Sequence, residues 1–370
     1  MDAEPAALPR VTVVTVTYAD RWDAGLSATI ASVLAEPRAD LIVVSNGTAP
    51  DSAARLDDAV ARSSGRIAVI DLGRNRGSAP AFAAGLSAAY RRGTAVLLLD
   101  DDNPLPPGAL NVLEATTCAL ESRGAPPTAL ACFRAVNPVY RLLREGASPD
   151  DLFSELRPGA FLSTDVFARH RQTADPRGVV DTRVGAVRVA PLPNSMWGGL
   201  YLPAPIAARG PQPPTALVLY ADDNAFSAEL RAAGCEILLC LDVEIHDTVD
   251  WRESSEPPRR RLRVPRVLRT ARDDLWRVRY QNRNAAYLSA EQARGSVAAQ
   301  LRLAVNVVVR LGLLLAAGLL TLRLRAAALI VAACLAGLRG RLGETYPLPG
   351  GRPAPAGSAV TASRGRRARS

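Results

Sequence analysis

The sequence predicts an α/β protein with a mostly parallel sheet flanked by helices, followed by a C-terminal helical membrane-associating region. Three observations predict it. β-Branched runs alternate with helically spaced segments through the first hundred residues, the pattern of a parallel sheet covered on both faces. One run ends directly in Asp100-Asp101-Asp102, and ligands of such sheets sit beyond the carboxyl ends of the strands. From Gln292 to Gly343 there is neither Asp nor Glu, only Arg among long apolar stretches.

Each element has its own signal. Val11–Thr17 is a β-branched run and reads as a buried strand. Leu26–Leu34 has helical spacing, and Leu41–Val44 is a second strand that ends at Ser45-Asn46-Gly47. Asp51–Arg62 reads as a helix, Ile67–Leu72 as a strand, the Ala-rich Ser78–Arg91 as a helix and Ala95–Leu99 as a fourth strand. Pro104, Pro106, Pro107, Pro126 and Pro127 mark turns. Ala129–Ala135 suits a strand, 141–178 has no readable period, and Val179–Val189 reads as a hairpin. Leu217–Tyr220 is a short apolar run leading to Asp222-Asp223, before a helix over Ala225–Ala233 capped by Gly234. Glu236–Leu241 is a strand leading to Glu244-Ile245-His246-Asp247. Arg259–Arg272 is densely basic, and Asp274–Leu288 reads as a helix.

The composition, 48% hydrophobic and 22% charged over 370 residues, excludes a disordered chain, a collagen and a disulfide mini-protein. All 45 basic residues are Arg, so Arg counts carry little functional signal, but the net charge of +9 favours phosphates or an acidic membrane surface as partners. No nucleic-acid partner is expected. Cys118, Cys132, Cys235, Cys240 and Cys334 show no metal spacing and fit a reducing compartment. Residues 1–9 read as an N-terminal arm without the apolar run of a secretory signal. There is no GxxxxGK[ST] phosphate loop.

Three clusters can carry chemistry. Consecutive carboxylates are costly if buried unpaired, and a divalent cation with hard oxygen ligands relieves that cost. Mg²⁺ or Mn²⁺ bridging a diphosphate is a common use of Asp100–Asp102, although Asp-Asp-Asp-Asn-Pro is also turn chemistry. Asn75-Arg76-Gly77-Ser78 opens a helix, which suits either a phosphate or a plain N-cap. Asp222-Asp223 stands between a strand and a helix and offers a general base or a capping acid. His246 suits a metal ligand, a phosphate donor or a structural role.

Taken in order, Val-Thr-Val-Val-Thr-Val-Thr-Tyr at the N-terminus, Val-Val-Ser-Asn-Gly, Asn-Arg-Gly-Ser-Ala, Leu-Leu-Leu-Asp-Asp-Asp-Asn-Pro, Met-Trp-Gly-Gly-Leu-Tyr-Leu-Pro, Tyr-Ala-Asp-Asp and Ile-His-Asp-Thr-Val-Asp-Trp form a set. This set resembles family 2 glycosyltransferases of the GT-A (Rossmann-like) fold, most like bacterial galactofuranosyl- and rhamnosyltransferase-like enzymes of cell-wall and surface polysaccharide synthesis. Arg279-Tyr-Gln-Asn-Arg-Asn284 is similar to a Tyr-x-x-Arg-Asn stretch found there.

The resemblance implies a GT-A catalytic domain over 10–255 and an inverting transfer from a nucleotide-diphosphate sugar to a glycan or polyprenyl-linked acceptor. It implies that Thr17, Tyr18, Ser45, Asn46, Asn75, Gly77, Asp100 and Asp101 bind the donor. Asp100, Asp102 and His246 would hold Mn²⁺ or Mg²⁺, Trp197, Gly198 and Gly199 would shape the acceptor or sugar pocket, and Asp223 or Asp222 would be the base. Where Ser45, Ala84 and Ala225 stand, the family often has Asp, Asn and Glu. Those differences motivate the alternative of a non-catalytic scaffold on the same fold. A nucleotidyltransferase is disfavoured because 17–25 holds no glycine-rich basic loop.

In the basic, apolar region, 256–343, Leu311–Leu322 and Ala326–Leu338 are uncharged, and Arg323 and Arg325 split them. Neither block reaches the ~20 residues a spanning helix needs. We expect helices lying on the anionic cytoplasmic face of the cell membrane, the alternative being a helical subdomain packed on the catalytic domain or on a second subunit. The tail over 344–370 is expected to be disordered.

Overall fold

The computed structural model describes residues 10–153, 156–168, 175–249, 266–269, 274–348 and 360–361. The chain divides into two compact units, one comprising Met1–Leu152, Gln172–Pro213 and Asp223–Glu256, the other Phe153–Arg171, Pro214–Asp222 and Pro257–Ser370.

The first unit is built on a nine-stranded sheet. Its first half follows the alternation in the sequence: β1 (Val11–Ala19) pairs in parallel with β2 (Ala39–Thr48) and β4 (Ala95–Asp100), and β2 pairs with β3 (Ile67–Asp71). The connecting helices are α1 (Ser27–Ala35), α2 (Pro50–Arg62) and α3 (Ser78–Tyr90). Burial on both faces explains the runs, since Val11, Val13, Val14, Leu41, Val43, Leu97 and Leu99 are all buried. Each such side chain contributes ~1.5–3 kcal/mol when fully buried. Helix α3 sits so close that a Cβ on Gly85 would lie 2.5 Å from Val14 Cγ1.

The second half corrects the expected topology. Helix α4 (Ala109–Ser122) leads to β5 (Thr128–Phe133), then short helices α5 (Pro138–Arg144) and α6 (Pro149–Leu152). A hairpin of β6 (Gly178–Thr182) and β7 (Gly185–Pro191) follows, then β8 (Leu200–Leu202), α7 (Ala204–Ala207), α8 (Asp222–Ala232) and β9 (Glu236–Glu244). The strand order is β3-β2-β1-β4-β8-β5-β9-β7-β6. β5 and β9 are parallel, but β8 runs antiparallel to both β4 and β5, and β7 antiparallel to β9. The sheet is therefore mixed, not mostly parallel. Three-residue β8 reverses direction between two buried strands, and its composition carries no mark of that direction.

Another expectation fails nearby. Leu217–Tyr220 is not a strand; a 3₁₀ turn at Thr215–Leu217 runs into Val218, Tyr220 and Ala221, with φ of 69°, 65° and 59°.

The second unit is helical: α9 (Arg266–Arg269), α10 (Leu275–Ala293), α11 (Val297–Leu320) and α12 (Leu324–Leu338), with a two-residue antiparallel pair of β10 (Arg341–Leu342) and β11 (Val360–Thr361). Ser296 caps α11 by accepting from the Ala299 amide. The apolar block at Leu311 belongs to a longer helix than expected. At 24 residues α11 is long and apolar enough to cross a bilayer, a test of length and composition that a soluble core helix also passes. Its buried side includes Asn306, Leu311, Leu314 and Gly318. Tyr346 and Leu348 pack with Tyr280, so 344–348 is ordered. Residues 1–9, most of Arg259–Arg272 and most of the tail lie outside the described residues. All five cysteines are free thiols, and only Cys118 is exposed.

Candidate active site

The site begins where β1, β2 and β4 end together. Register pairs Thr17 with Ser45 and Val16 with Asp100, so the acidic run emerges beside the first strand's last turn. Helix α3 starts after Gly77, whose φ of +88° favours glycine. Asn46 locks that approach: its amide donates to Asn75 Oδ1 (3.3 Å) and the Gly77 carbonyl (3.2 Å), and its Oδ1 accepts from the Arg76 amide (2.8 Å). Asn46, Asn75 and Gly77 are thus brought together.

Ser45 donates to Asp71 Oδ1 at 3.2 Å. Asp71, its register partner on β3, is exposed and supplies an acid beside the position where the resembling family has one. It was not singled out from the sequence because an exposed acid at a strand end reads as an ordinary solvated turn.

The three aspartates take different roles. Asp101 is buried; it accepts from Thr17 Oγ1 (2.9 Å) and from Arg21 (3.0 Å to Oδ1). Burial pushes its carboxyl above the usual range, with Arg21 and Thr17 opposing. Thr17's hydroxyl is therefore spent inside the protein, while Tyr18 is half-buried with Arg21 over its ring at 5.9 Å. Asp102 lies 3.4 Å from Arg21 and is 2% exposed, packed so tightly that a Cβ on Gly25 would come within 2.7 Å of its Cα. Asp100 is half-buried, accepts from Arg134 at 2.9 Å, and burial raises its carboxyl as well.

Arg134, at the end of β5, also pairs with Asp247. Asn103 donates to Asp247 at 2.8 Å, while Asn103 Oδ1, Asp247 Oδ2 and Arg134 Nε are buried without hydrogen-bond partners. Gly198 completes this cluster: a Cβ there would lie 2.2 Å from Asn103 Oδ1 and 2.6 Å from Asp100 Oδ2. Gly199, at φ +93°, donates to the Leu98 carbonyl and accepts from the Cys132 amide, bridging β4 and β5.

Two residues are placed otherwise than the sequence suggests. His246 is 75% exposed and lies 3.7 Å from Glu244, while its neighbour Asp247 turns inward. Among the described residues no three His, Cys, Asp or Glu side chains stand together for a metal. The set Asp100, Asp102 and His246 is thus not assembled, because Arg21 and Arg134 hold the acids and His246 points outward. Trp197 is 6% exposed, stacked on Phe82 at 4.5 Å with Phe226 at 5.1 Å. Its ring is a core residue with one face covered, not an open sugar platform.

Asp222 is buried as the first residue of α8, and Asp223 follows it, half-buried, with one oxygen accepting from the Asn224 amide (2.8 Å). Arg21, Arg134 and Asp247 are the residues that sequence reasoning missed. In a chain whose every base is Arg, neither arginine stands out; the position of Arg134 at a strand's carboxyl end was the available signal.

Residues 12–170 match the family described as Glycosyl transferase family 2, a little under half of the chain. No curated protein matches. Solved structures similar to the chain include a mannosyltransferase from Pyrobaculum calidifontis in complex with GDP-Man and Mn²⁺, at 17% identity, covering 90% of this chain and 88% of that one, TM-score 0.42. S. aureus TarS 1-349 in complex with UDP is 12% identical, covering 89% and 90%, TM-score 0.43. GalNAc-T7 with UDP, GalNAc and Mn²⁺ is 15% identical, covering 65% and 44%, TM-score 0.44.

Proposed function

We propose that the chain, a glycosyltransferase by its family 2 domain, is an inverting enzyme that moves a sugar from a nucleotide-diphosphate donor to a glycan or polyprenyl-linked acceptor in cell-wall or surface polysaccharide synthesis. The observation that carries this reading is the convergence of Asn46, Asn75, Gly77 and the Asp100–Asp102 run beyond the carboxyl ends of parallel strands. Asn46 and Asn75 keep the loop before α3 in one shape for the donor, with Ser45 and Asp71 at the nucleoside end. Arg21 and Arg134 hold the acids in place, which leaves Asp100 as the acid nearest to solvent.

Asp223 takes the proton of the acceptor hydroxyl. The new bond joins that oxygen to the anomeric carbon, the bond from that carbon to the diphosphate oxygen breaks, and the nucleoside diphosphate leaves with the electron pair. Among the described residues no three-ligand set is assembled for Mn²⁺ or Mg²⁺, and each step is assigned to the chain's own residues. The test is thermal-shift titration with UDP-, dTDP- and GDP-sugars, with and without Mn²⁺ or Mg²⁺. Stabilisation by one nucleotide class is the expected result; no response to any, with folded protein, would favour a non-catalytic scaffold.

The helical unit carries the second part of the reading, peripheral attachment at the cytoplasmic face of the membrane. After Gln300 every exposed position of α11 is apolar, with Leu301, Val305, Val308, Leu315 and Leu319 along one stripe. Arg323, Arg325, Arg339 and Arg341 are exposed in the same unit, which suits anionic headgroups.

A further inference from the structure

The Arg279–Asn284 stretch singled out in the sequence lies in α10 of the helical unit. Its last two residues are fully buried in α10, at 0% exposure each, and both reach the segment that leads into Asp222-Asp223. Asn284 donates to three carbonyls of that segment, Leu217 (2.8 Å), Leu219 (2.8 Å) and Tyr220 (2.9 Å). Arg283 donates to the Leu217 carbonyl (3.1 Å), the Gly343 carbonyl (2.6 Å) and Thr345 Oγ1 (2.8 Å), and its Nε donates to Asn284 Oδ1 (2.9 Å). The ring of Tyr280 lies 4.7 Å from the guanidinium. The Gly343 amide donates to the Ala216 carbonyl at 2.7 Å.

What these bonds hold is a backbone that would not hold itself. Val218 has φ 69° and ψ −63°, with the Leu219 amide donating to the Leu217 carbonyl at 2.8 Å. That is the strained form of the γ-turn, on a β-branched residue. Tyr220 and Ala221 follow in the left-handed region, at φ 65° and 59°. Three non-glycine residues in such conformations within four positions persist only where the surroundings over-determine them. The strain ends at the residue before Asp222, where α8 begins.

We propose that Asn284 and Arg283 are positioning residues for the acid pair Asp222-Asp223, clamping Leu217–Ala221 in a strained shape that sets the start of α8. This inference rests on the reading of that pair as the base. The two N–H groups of the Asn284 amide are shared among three carbonyls that converge on it, and Arg283 orients Asn284 and ties the segment to Gly343 and Thr345. The glycine test follows from the same geometry: glycine adopts positive φ without penalty, so Ala221→Gly lowers the cost of the strained shape and lessens dependence on the clamp.

The experiment compares Asn284→Ala, Arg283→Lys and Asn284→Ala/Ala221→Gly with Asp222→Asn and Asp223→Asn. Turnover is read as nucleoside diphosphate released by hydrolysis of whichever of the UDP-, dTDP- or GDP-sugars stabilises the protein; donor affinity is read by calorimetry. Hydrogen exchange of residues 218–224 is followed in every variant. We expect Asn284→Ala to cut turnover at least tenfold with donor affinity within about twofold, to speed exchange in 218–224 but not in β1 or β4, and to regain at least threefold on adding Ala221→Gly. Arg283→Lys, which keeps the charge, should lose at least threefold.

Unchanged exchange in 218–224, or unchanged turnover, in folded Asn284→Ala overturns the proposal while losses in the aspartate variants leave the base reading standing. If neither Asp222→Asn nor Asp223→Asn loses turnover, the base reading falls and the proposal with it. Should Asn284→Ala not fold, Arg283→Lys decides by the same two readouts.

Discussion

Asp223 carries the sharpest prediction at the residue scale. Asp223→Asn should lower turnover by about 10²–10⁴-fold, the usual size of a general-base contribution, with donor binding retained; calorimetry beside a turnover assay separates the two. Asp71→Asn should weaken donor affinity several-fold and leave the thermal midpoint nearly unchanged, because Asp71 is exposed and accepts from Ser45, a residue proposed to bind the donor. Asp101 gives a prediction in pH. Its carboxyl is raised by burial, so the folded chain holds that proton to higher pH than the unfolded one, whose value lies near ~3.9. Stability associated with this group therefore falls as pH rises from about 4. Asp101→Asn removes that decline, so the gap in midpoint between variant and wild type should drift in the variant's favour toward pH 7; a constant gap would contradict a raised value. At this scale the sequence was legible for the strand-end positions of Asn46 and Asp100 and for Asn75 in the loop between β3 and α3, which follow from local patterning. It was not legible for Arg134 and Asp247, which meet across 113 positions of chain and share no motif.

At the scale of elements, β1, β2 and β4 could be read directly, because strands buried on both faces must be apolar along their whole length. β8 could not: Leu200–Leu202 reads the same in either direction, and its antiparallel placement depends on Gly199 bridging β4 and β5. The strained turn before α8 was misread as a strand for a similar reason, since Leu217-Val-Leu-Tyr is apolar and β-prone while its shape is imposed from α10. In the second unit α12 approaches α10 closely at Gly337, where an added Cβ would clash with the Arg283 carbonyl. Gly337→Ala should cost about 1–3 kcal/mol, the range for overpacking, measured by denaturant unfolding, because backbone must move to admit the methyl.

For the whole molecule, the proposed attachment at the membrane surface would draw on both the net charge of +9 and the apolar side of α11. Flotation with phosphatidylglycerol vesicles should recover the protein, and phosphatidylcholine vesicles should recover less. High salt should remove part of the binding by screening, and Leu315→Glu/Leu319→Glu should reduce it at least tenfold at any salt. Vesicle binding unaffected by that double substitution would place the contact elsewhere.

The distribution of thiols has a practical consequence. Cys132, Cys235 and Cys240 are buried in the sheet unit and Cys334 in the helical unit, leaving Cys118 outside. An alkylating reagent added to the native chain should modify one position. Mass-resolved labelling along a denaturant series then turns each buried cysteine into a clock for its own unit. If Cys334 becomes reactive before the other three, the helical unit opens first; if all four appear together, the two units melt as one.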